Sequence, residues 1–271
     1  MRRIVRALVD RLPSPLVRLV HPWVSSSLLL RRPADLLSEA QIAQFGPSLV
    51  IAPHPDDETL GCGGVIALLR SVGHDVHVLF VTDGSASHPT DAQARARLVA
   101  ARRREALGAL GVLGVPPEAA HFAMLPDGAL PTEAEEGFDE AVRVVGRELE
   151  PLAFQTVLLP WRRDSSPDHR AAWDIVTASL RQLRRKPRIL EFPVWAWLRD
   201  EDAPAEGEMR FLRAPIAGVQ RVKRRAIACY ATQLCDSFEG GKGSFRLRRS
   251  FLAHFDRAEE LLFEQKPPDR T

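Results

Sequence analysis

The sequence contains few cysteines, and their spacing favours neither disulfides nor a structural metal knuckle. Its 271 residues include three cysteines, Cys62, Cys229 and Cys235. An odd, low number gives no disulfide framework. Cys229 and Cys235 also lack the second nearby pair that a structural zinc site would need. Such usage is typical of a reducing compartment, so we expect a cytoplasmic protein.

Long apolar runs and an excess of one charge are also missing. No run reaches the roughly 18 uncharged apolar residues of a membrane span. Basic and acidic residues nearly balance, 37 against 35, which indicates no nucleic-acid partner. Residues 1–32 are basic and amphipathic, and charges interrupt every apolar segment, so no signal peptide is expected. We expect a helix packed on the domain there, with peripheral membrane contact as the alternative. No feature indicates an oligomeric state.

Short apolar segments alternate with helical ones along most of the chain. Strands are predicted at 48–53, 75–81, 155–160 and 188–194, and helices at 61–70, 91–111, 136–149, 170–185, 219–232 and 250–265. This alternation predicts an α/β fold, with a mostly parallel sheet and helices on both faces. In such sheets the ligand lies beyond the carboxyl ends of the strands.

The first predicted strand is followed directly by the run His54-Pro55-Asp56-Asp57-Glu58. Three acids this close repel one another unless a cation or other partners compensate. His54 and Asp57 are three residues apart, so a tight turn can direct both inward and leave Asp56 for proton transfer. A catalytic zinc site takes three protein ligands and keeps one position for water. A third ligand must therefore come from elsewhere.

His169 is the best candidate for the third ligand among the eight histidines. It follows the predicted strand that ends at Pro160, whereas most of the others have no acidic neighbours that single them out. The adjacent Asp168 is expected to support a ligand by a hydrogen bond, and Glu58 is expected to do the same. For Trp161, beside this loop, contact with a substrate and simple packing are equally good interpretations.

The glycines at 61, 63 and 64 raise the alternative of a nucleotide-binding loop. Ile66 occupies the place of the third glycine in G-x-G-x-x-G, and no acidic residue follows at a convincing strand end. We therefore expect these glycines to allow a close approach between helix and sheet. The small Cys62 among them is expected to be buried rather than nucleophilic.

The run Ala52–Glu58 resembles the signature of the PIG-L/LmbE-like deacetylases. Other pieces match in the same order, so the resemblance covers residues 48–195. They are Thr82-Asp83-Gly84, Arg102 with Glu105-Ala106, Leu110-Gly111, Leu125-Pro126-Asp127-Gly128 and Pro167-Asp168-His169.

This resemblance implies a Rossmann-like fold, a zinc or ferrous ion, and deacetylation of an N-acetylglucosamine-type substrate. By it, His54, Asp57 and His169 are the metal ligands and Asp56 is the general base. Arg102 and Asp127 would hold the sugar or its substituent, which could be a small molecule or lipid-linked. We therefore expect an N-terminal helical extension (1–45), a deacetylase core (46–200) and a C-terminal part of the same domain (201–271).

One position departs from the family pattern. Many relatives carry a histidine three residues before the last metal ligand, where it helps to stabilise the oxyanion or protonate the amine. This sequence has Ser166 there. Either Ser166 stabilises the oxyanion or protonates the amine more weakly, or another group takes this role, for which His88 is the candidate. Two further functions therefore stay open: a metal-dependent amidase acting on a non-sugar amide such as a thiol conjugate, and a sugar-binding relative with weak catalysis.

Overall fold

The computed structural model describes residues 10, 28–88, 91–184, 186–235 and 245–266. The helix expected near the N-terminus falls mostly outside these residues. The described part of the predicted extension, 28–45, holds a 3-10 turn at Leu28–Leu30, a two-residue strand and a short helix. The strand pairs with the main sheet, so this stretch is joined to the domain by backbone hydrogen bonds.

One sheet of eight strands organises the described chain. The strands are β1 (Asp35–Leu36), β2 (Ser48–Ala52), β3 (Val76–Thr82), β4 (Ala120–Leu125), β5 (Thr156–Pro160), β6 (Arg188–Phe192), β7 (Met209–Pro215) and β8 (Glu259–Gln265). In space they follow the order β1-β7-β8-β6-β5-β2-β3-β4. β8 runs antiparallel to β6 and β7, and the other pairs are parallel. The predicted mostly parallel α/β fold is confirmed.

Helices cover both faces of this sheet. They are α1 (Glu39–Ala43), α2 (Asp57–Ser71), α3 (Ala92–Val112), α4 (Phe138–Leu149), α5 (Pro167–Gln182), α6 (Gln220–Ile227), α7 (Ala231–Leu234) and α8 (Arg249–Leu252). Side chains of β2 alternate: Val50 and Ala52 pack with α2 and α3, whereas Leu49 and Ile51 pack with α4 and α5. This alternation buries every residue of β2. None of the described helices combines the length and apolarity that crossing a membrane requires.

The order of the strands places a crevice between β2 and β5. From β2 the chain proceeds to β3 and β4 on one side, and then returns to β5 and β6 on the other. Such a switch point opens a crevice at the carboxyl ends of the two strands, where ligands bind in open α/β sheets. His54 follows β2 and His169 follows β5, so the topology brings these two segments together.

The predicted helix at 250–265 is wrong. Only α8 is helical, and β8 continues the sheet between β6 and β7. A short apolar run such as Leu261–Phe263 suits a helix or a strand equally well from sequence. Here the free edges of β6 and β7 favour the strand, because β8 hydrogen-bonds to both of them. The pattern also left β1, β4 and β7 unpredicted.

Candidate active site

The turn after β2 carries a backbone conformation that non-glycine residues rarely adopt. Asp56 has φ 134° and ψ −27°, and α2 begins at the next residue. The backbone nitrogen of His54 donates to Oδ2 of Asp57 at 2.9 Å, which closes the turn over three residues. Strained residues of this kind persist where surrounding contacts hold them, often at active sites. The turn thus projects His54, Asp56 and Asp57 from one short segment.

Three potential metal ligands converge beside this turn. Oδ2 of Asp57 lies 3.2 Å from Nδ1 of His54 and 3.1 Å from Nε2 of His169. One ligand atom from each residue lies within 4.8 Å of the others. His169 is fully buried, and neither of its ring nitrogens makes a well-aligned hydrogen bond. Buried polar atoms are normally satisfied, so these nitrogens point to a missing partner such as a cation.

His54 is held by carboxylates on the side away from Asp57. Its Nε2 lies 3.0 Å from Oδ2 of Asp168 and 3.1 Å from Oδ1 of Asp127. Asp168 also accepts a hydrogen bond from the backbone nitrogen of Gly128 at 2.7 Å. These contacts orient the ring so that Nδ1 faces the cluster. The support expected from Asp168 is therefore directed to His54 rather than to its neighbour His169.

Asp164 takes the supporting place beside His169, and the sequence analysis did not single it out. Its Oδ1 lies 3.6 Å from Nδ1 of His169. Its Oδ2 accepts hydrogen bonds from the backbone nitrogens of Trp195 at 2.8 Å and Val194 at 3.2 Å. Asp164 is completely buried. The only sequence clue is an acid in the loop between β5 and His169.

Burial and charge shift the pKa values of the cluster in opposite directions. Burial would lower the pKa of His54, but hydrogen bonds to Asp127, Asp168 and Asp57 raise it well above its ordinary value. Burial would raise the pKa of Asp57, but the neighbouring His169 and His54 hold it well below its usual range. A cation that enters the cluster would therefore displace a proton from His54.

Asp56 lies next to the ligands and beside a buried arginine. Burial raises its pKa well above the ordinary value, Arg102 opposes that shift, and Asp57 adds to it. The contact is an ion pair: Nη2 of Arg102 lies 3.5 Å from Oδ2 of Asp56. A raised carboxyl pKa suits a group that must both accept and return a proton near neutral pH.

Arg102 donates hydrogen bonds to the loops around the site. Its Nη1 donates to the carbonyl oxygen of Gly84 at 2.9 Å, and its Nη2 donates to that of Pro55 at 2.6 Å. Asp127 likewise accepts from the backbone nitrogen of Ala86 at 2.7 Å. Both side chains are therefore tied to the frame of the site, although both border the cavity.

A cavity of about 400 Å³ opens over the cluster. Acidic and polar side chains surround one part of it, and apolar side chains surround another. Its lining comprises His54, Asp56, Asp57, Leu60, Ala86, Ser87, Arg102, Asp127, Ser165, Ser166, Trp195, Gln233, Phe245 and Leu247. Ser166, which stands where many relatives carry histidine, thus faces the same space as the cluster.

Five of the predicted site residues are not part of the cavity lining: His169 and Asp168, which lie beneath it in the cluster, and Trp161, His88 and Glu58. Trp161 is completely buried, and its Nε1 donates to the carbonyl oxygen of Asp202 at 2.6 Å, so packing is the interpretation that its surroundings favour. His88 is buried, with Nδ1 2.9 Å from Oγ of Ser87. Glu58 lies behind the turn, fully buried. Trp195 lines the cavity instead.

The fold and the cluster together define an α/β protein with a candidate metal centre at the switch point of its sheet. Residues 49–180 match the profile of the PIG-L family, described as GlcNAc-PI de-N-acetylase. The chain therefore contains a PIG-L family domain, as the resemblance implied.

A sequence relative and two solved structures extend this comparison. The diacetylchitobiose deacetylase of Thermococcus kodakarensis is 36% identical over 126 residues, which are 46% of this chain and 45% of that protein. The match thus spans less than half the length of this curated relative. The structure of the A40926 pseudoaglycone deacetylase aligns with a TM-score of 0.61 at 20% identity, covering 81% of this chain and 97% of that one.

The same fold also occurs in a protein with different chemistry. The 4-carboxy-2-hydroxymuconate hydratase of Pseudomonas putida KT2440 aligns with a TM-score of 0.59 at 19% identity, covering 83% of this chain and 98% of that one. At such identities the likeness concerns the fold alone, and function has to be argued from the site.

Proposed function

We propose that this chain is a metal-dependent hydrolase that removes the acetyl group from an N-acetyl amino sugar or its conjugate. The observation that carries the proposal is the convergence of His54, Asp57 and His169 at the switch point, with Asp56 next to them. Two imidazoles and one carboxylate provide the three protein ligands that a catalytic zinc ion takes. The curated relative is named as a deacetylase of diacetylchitobiose, which supports the same reaction on an amino sugar.

Zinc is the metal we propose, with ferrous iron as the alternative. The buried, unsatisfied nitrogens of His169 and the carboxylate of Asp57 fit either ion, since two histidines and one carboxylate also bind non-haem iron. A bound divalent ion supplies Lewis acidity, which polarises the amide carbonyl and lowers the pKa of water toward about 7. His54, Asp57 and His169 would hold it, and Asp168 and Asp164 would fix the two rings.

Asp56 is the group we assign to proton transfer. Its carboxylate would accept a proton from water as the oxygen adds to the amide carbon. It would return that proton to the nitrogen when the carbon–nitrogen bond breaks, so that acetate and a free amine result. The pKa of Asp56, raised by burial and partly lowered by Arg102, allows it to serve in both directions.

Ser166 is our candidate for the group that assists the carbonyl oxygen or the leaving amine. It lines the cavity, whereas His88 does not. A neutral hydroxyl stabilises developing charge less than an imidazolium does, since charge-assisted hydrogen bonds are about twice as strong as neutral ones. We therefore expect slower turnover than in relatives that carry histidine. Arg102 and Asp127 remain our candidates for contacts with sugar hydroxyls, because both border the cavity.

The apolar part of the cavity favours a conjugate over a free sugar. Trp195 stacks on Phe251 with ring centroids 4.4 Å apart and meets the ring of Phe245 at 5.6 Å. Leu60 and Leu247 line the same space. A surface of this kind gains free energy by covering apolar groups, at about 25 cal/mol per Å². We propose that the sugar carries an alkyl or aryl substituent that rests on it.

A panel of acetylated compounds tests the proposed function. The zinc-loaded protein would be offered N-acetylglucosamine, its octyl β-glycoside and N-acetylcysteine, and acetate and free amine would be measured. We expect both products in equal amounts from the sugars, fastest from the octyl glycoside, and about 10²- to 10⁴-fold slower release with Asp56→Asn. Release from N-acetylcysteine alone would replace the sugar with a non-sugar amide as substrate. Binding without release from any compound would indicate a sugar-binding relative.

The cytoplasmic location and the membrane contact stay predictions. The first depends on cysteine usage, and the second depends on residues that the structure mostly does not describe. Neither enters the argument for the reaction.

A further inference from the structure

A buried carboxylate lies behind the catalytic turn, residues 54–57. It accepts hydrogen bonds from two distant parts of the chain. Glu58 is completely buried. Its Oε1 accepts hydrogen bonds from the hydroxyls of Thr59 and Tyr230, and its Oε2 accepts from the backbone nitrogen of Asp56 at 3.1 Å. Tyr230 is also buried, and it is the only tyrosine in the sequence. One phenol therefore reaches the catalytic turn across 172 residues.

The bond from Glu58 acts on the strained residue itself. Asp56 has φ 134°, a backbone conformation that residues other than glycine rarely adopt. Its own side chain makes no cap hydrogen bond to α2. Strain of this type persists only where fixed partners hold the backbone. Glu58 supplies such a partner at the Asp56 amide, and Tyr230 restrains Glu58.

The same C-terminal region also holds the first turn of α2 at its far end, around Leu60. α2 is broken at Cys62, where φ is −144° and ψ is 24°. Nζ of Lys223 donates to the carbonyl oxygen of Leu60 at 2.8 Å, before the break. The carboxylate of Glu260 accepts from the backbone nitrogens of Gly64 at 2.7 Å and Val65 at 2.8 Å, after the break.

The break separates the first turn of α2 from the rest of the helix. The turn therefore takes its orientation from side-chain partners rather than from the continuous hydrogen bonds of a long helix. Lys223 and Glu260 also pair with each other at 2.6 Å, and each is 2% exposed. The glycines permit this arrangement: a Cβ on Gly64 would lie 2.6 Å from Ile216, and one on Gly61 would lie 2.1 Å from the ring of Phe192.

We propose that Tyr230, acting through Glu58, is a positioning residue that fixes the backbone of Asp56 for proton transfer. The inference rests on the proposed function, in which Asp56 is the base. Tyr230 is not among the residues that line the cavity or form the cluster of ligands, so the effect of its hydroxyl on the reaction is indirect. Loss of its hydroxyl should disturb the catalytic turn while leaving the ligands of the metal in place.

The substitution Tyr230→Phe tests this, with two readouts on the zinc-loaded protein. Hydrogen exchange at the Asp56 amide, followed by NMR, should become at least about tenfold faster because its acceptor loses a restraint. With an acetylated sugar that the wild type turns over, kcat should fall about 10- to 100-fold because small misplacements of reacting groups are costly. KM should stay within twofold, and one zinc ion should still bind per chain.

Thr156→Val is the matched control. The Thr156 hydroxyl is buried and donates to the carbonyl oxygen of Phe45 at 2.7 Å, and Thr156 pairs with Ser48 at the start of β2, the end of the strand away from the turn. It should lose a similar hydrogen bond without changing exchange at Asp56 or kcat. The proposal is overturned if Tyr230→Phe matches Thr156→Val within twofold in both readouts.

Glu58→Gln keeps the proposal testable should Tyr230→Phe fail to fold. A carboxamide cannot accept all three hydrogen bonds, so exchange at the Asp56 amide should again accelerate. In that background, adding Tyr230→Phe should cause little further loss of kcat, because the path through Glu58 is already interrupted. Additive losses, or an Asp56 amide as protected as in the wild type, would overturn the inference. The exchange readout needs no turnover, so it separates this failure from failure of the proposed function.

Discussion

The two ends of the domain contribute differently to the candidate site. The loops after β2 and β5 carry the groups that would bind a metal and move a proton, His54 to Asp57 and His169. None of the described residues from β7 to β8 belongs to that cluster, yet Tyr230 and Lys223 hold the first turn of α2 from behind, and Glu260 holds the helix just after its break. The chemistry of the first region therefore depends on the packing of the second.

This comparison predicts that substitutions in the two regions have separable effects. Changes to the loops should alter metal binding or turnover with little loss of stability. Changes to the supporting region should lower stability or disturb geometry while the ligands remain intact.

Asp56→Asn should abolish most turnover and leave the fold intact. Removal of a general acid–base group costs about 10²- to 10⁴-fold in rate. Asp56 is not one of the three proposed metal ligands, His54, Asp57 and His169, so the zinc stoichiometry should be unchanged. Single-turnover kinetics with metal analysis would measure both. A rate within threefold of the wild type would show that another group accepts the proton.

Lys223→Met should destabilise the domain more than any loop variant. It leaves Glu260 buried without its cation, and breaking a buried ion pair costs about 3–5 kcal/mol. Denaturant unfolding would measure the loss. Arg221→Met is the control, since Arg221 is exposed on the same helix and should change stability by less than about 0.5 kcal/mol. Equal stability of the two variants would show that the Lys223–Glu260 ion pair does not stabilise the domain.

Asp164→Asn should weaken metal binding while retaining the three ligands. Loss of a carboxylate that supports a ligating histidine costs about 10- to 100-fold in metal affinity. Titration with zinc against a competing chelator would give the affinity. Asp174→Asn on α5 is a suitable comparison, because the charged groups that act on Asp174 are Glu133, Arg181 and Arg170 rather than members of the cluster. Unchanged affinity in Asp164→Asn would mean that His169 needs no support from this side.

Zinc affinity should also fall as the pH is lowered. The pKa of His54 is raised well above 6.5 by its carboxylate neighbours, so the proton on His54 competes with the metal below that raised value. Affinity should therefore drop by about tenfold per pH unit for each proton released. Zinc titrations between pH 8 and 5, in about half-unit steps, would show the slope. A flat profile would mean that His54 is not a ligand.

Phe245→Ser should have the smallest effect, limited to substrates with an apolar substituent. Phe245 is 37% exposed at the edge of the cavity and meets Trp195. Removing about 50 Å² of apolar contact would cost roughly 1 kcal/mol, or about fivefold in kcat/KM for the octyl glycoside. The value for free N-acetylglucosamine should not change. An equal loss on both substrates would assign Phe245 to the shape of the site rather than to substrate choice.

The first region was largely predictable from sequence, for a physical reason. Residues directly after parallel strands meet at one edge of the sheet, so His54, Asp57 and His169 could be placed together without a structure. The ligand-supporting role of Asp168 was expected too, but only the geometry shows that it contacts His54. Asp164 was missed because an acid in a loop carries no periodic pattern.

The second region was not predictable, because its contacts join residues far apart along the chain. The bond from Tyr230 to Glu58 crosses 172 residues, and those from Glu260 to α2 cross about as many. β8 was predicted as a helix, since its position between two strands decides its conformation. Trp161 and Trp195 both follow strands, and only packing shows that the first is covered and the second borders the cavity.

Zinc titration paired with acetate release tests whether one metal ion, bound by His54, Asp57 and His169, is required for deacetylation. The purified chain would be stripped of metal, reloaded with increasing zinc, and assayed at each point on the octyl glycoside of N-acetylglucosamine. We expect activity to rise with occupancy to one zinc per chain, and His169→Ala neither to bind zinc tightly nor to release acetate. Release that is independent of added metal, or full zinc affinity in His169→Ala, would contradict the proposed metal centre.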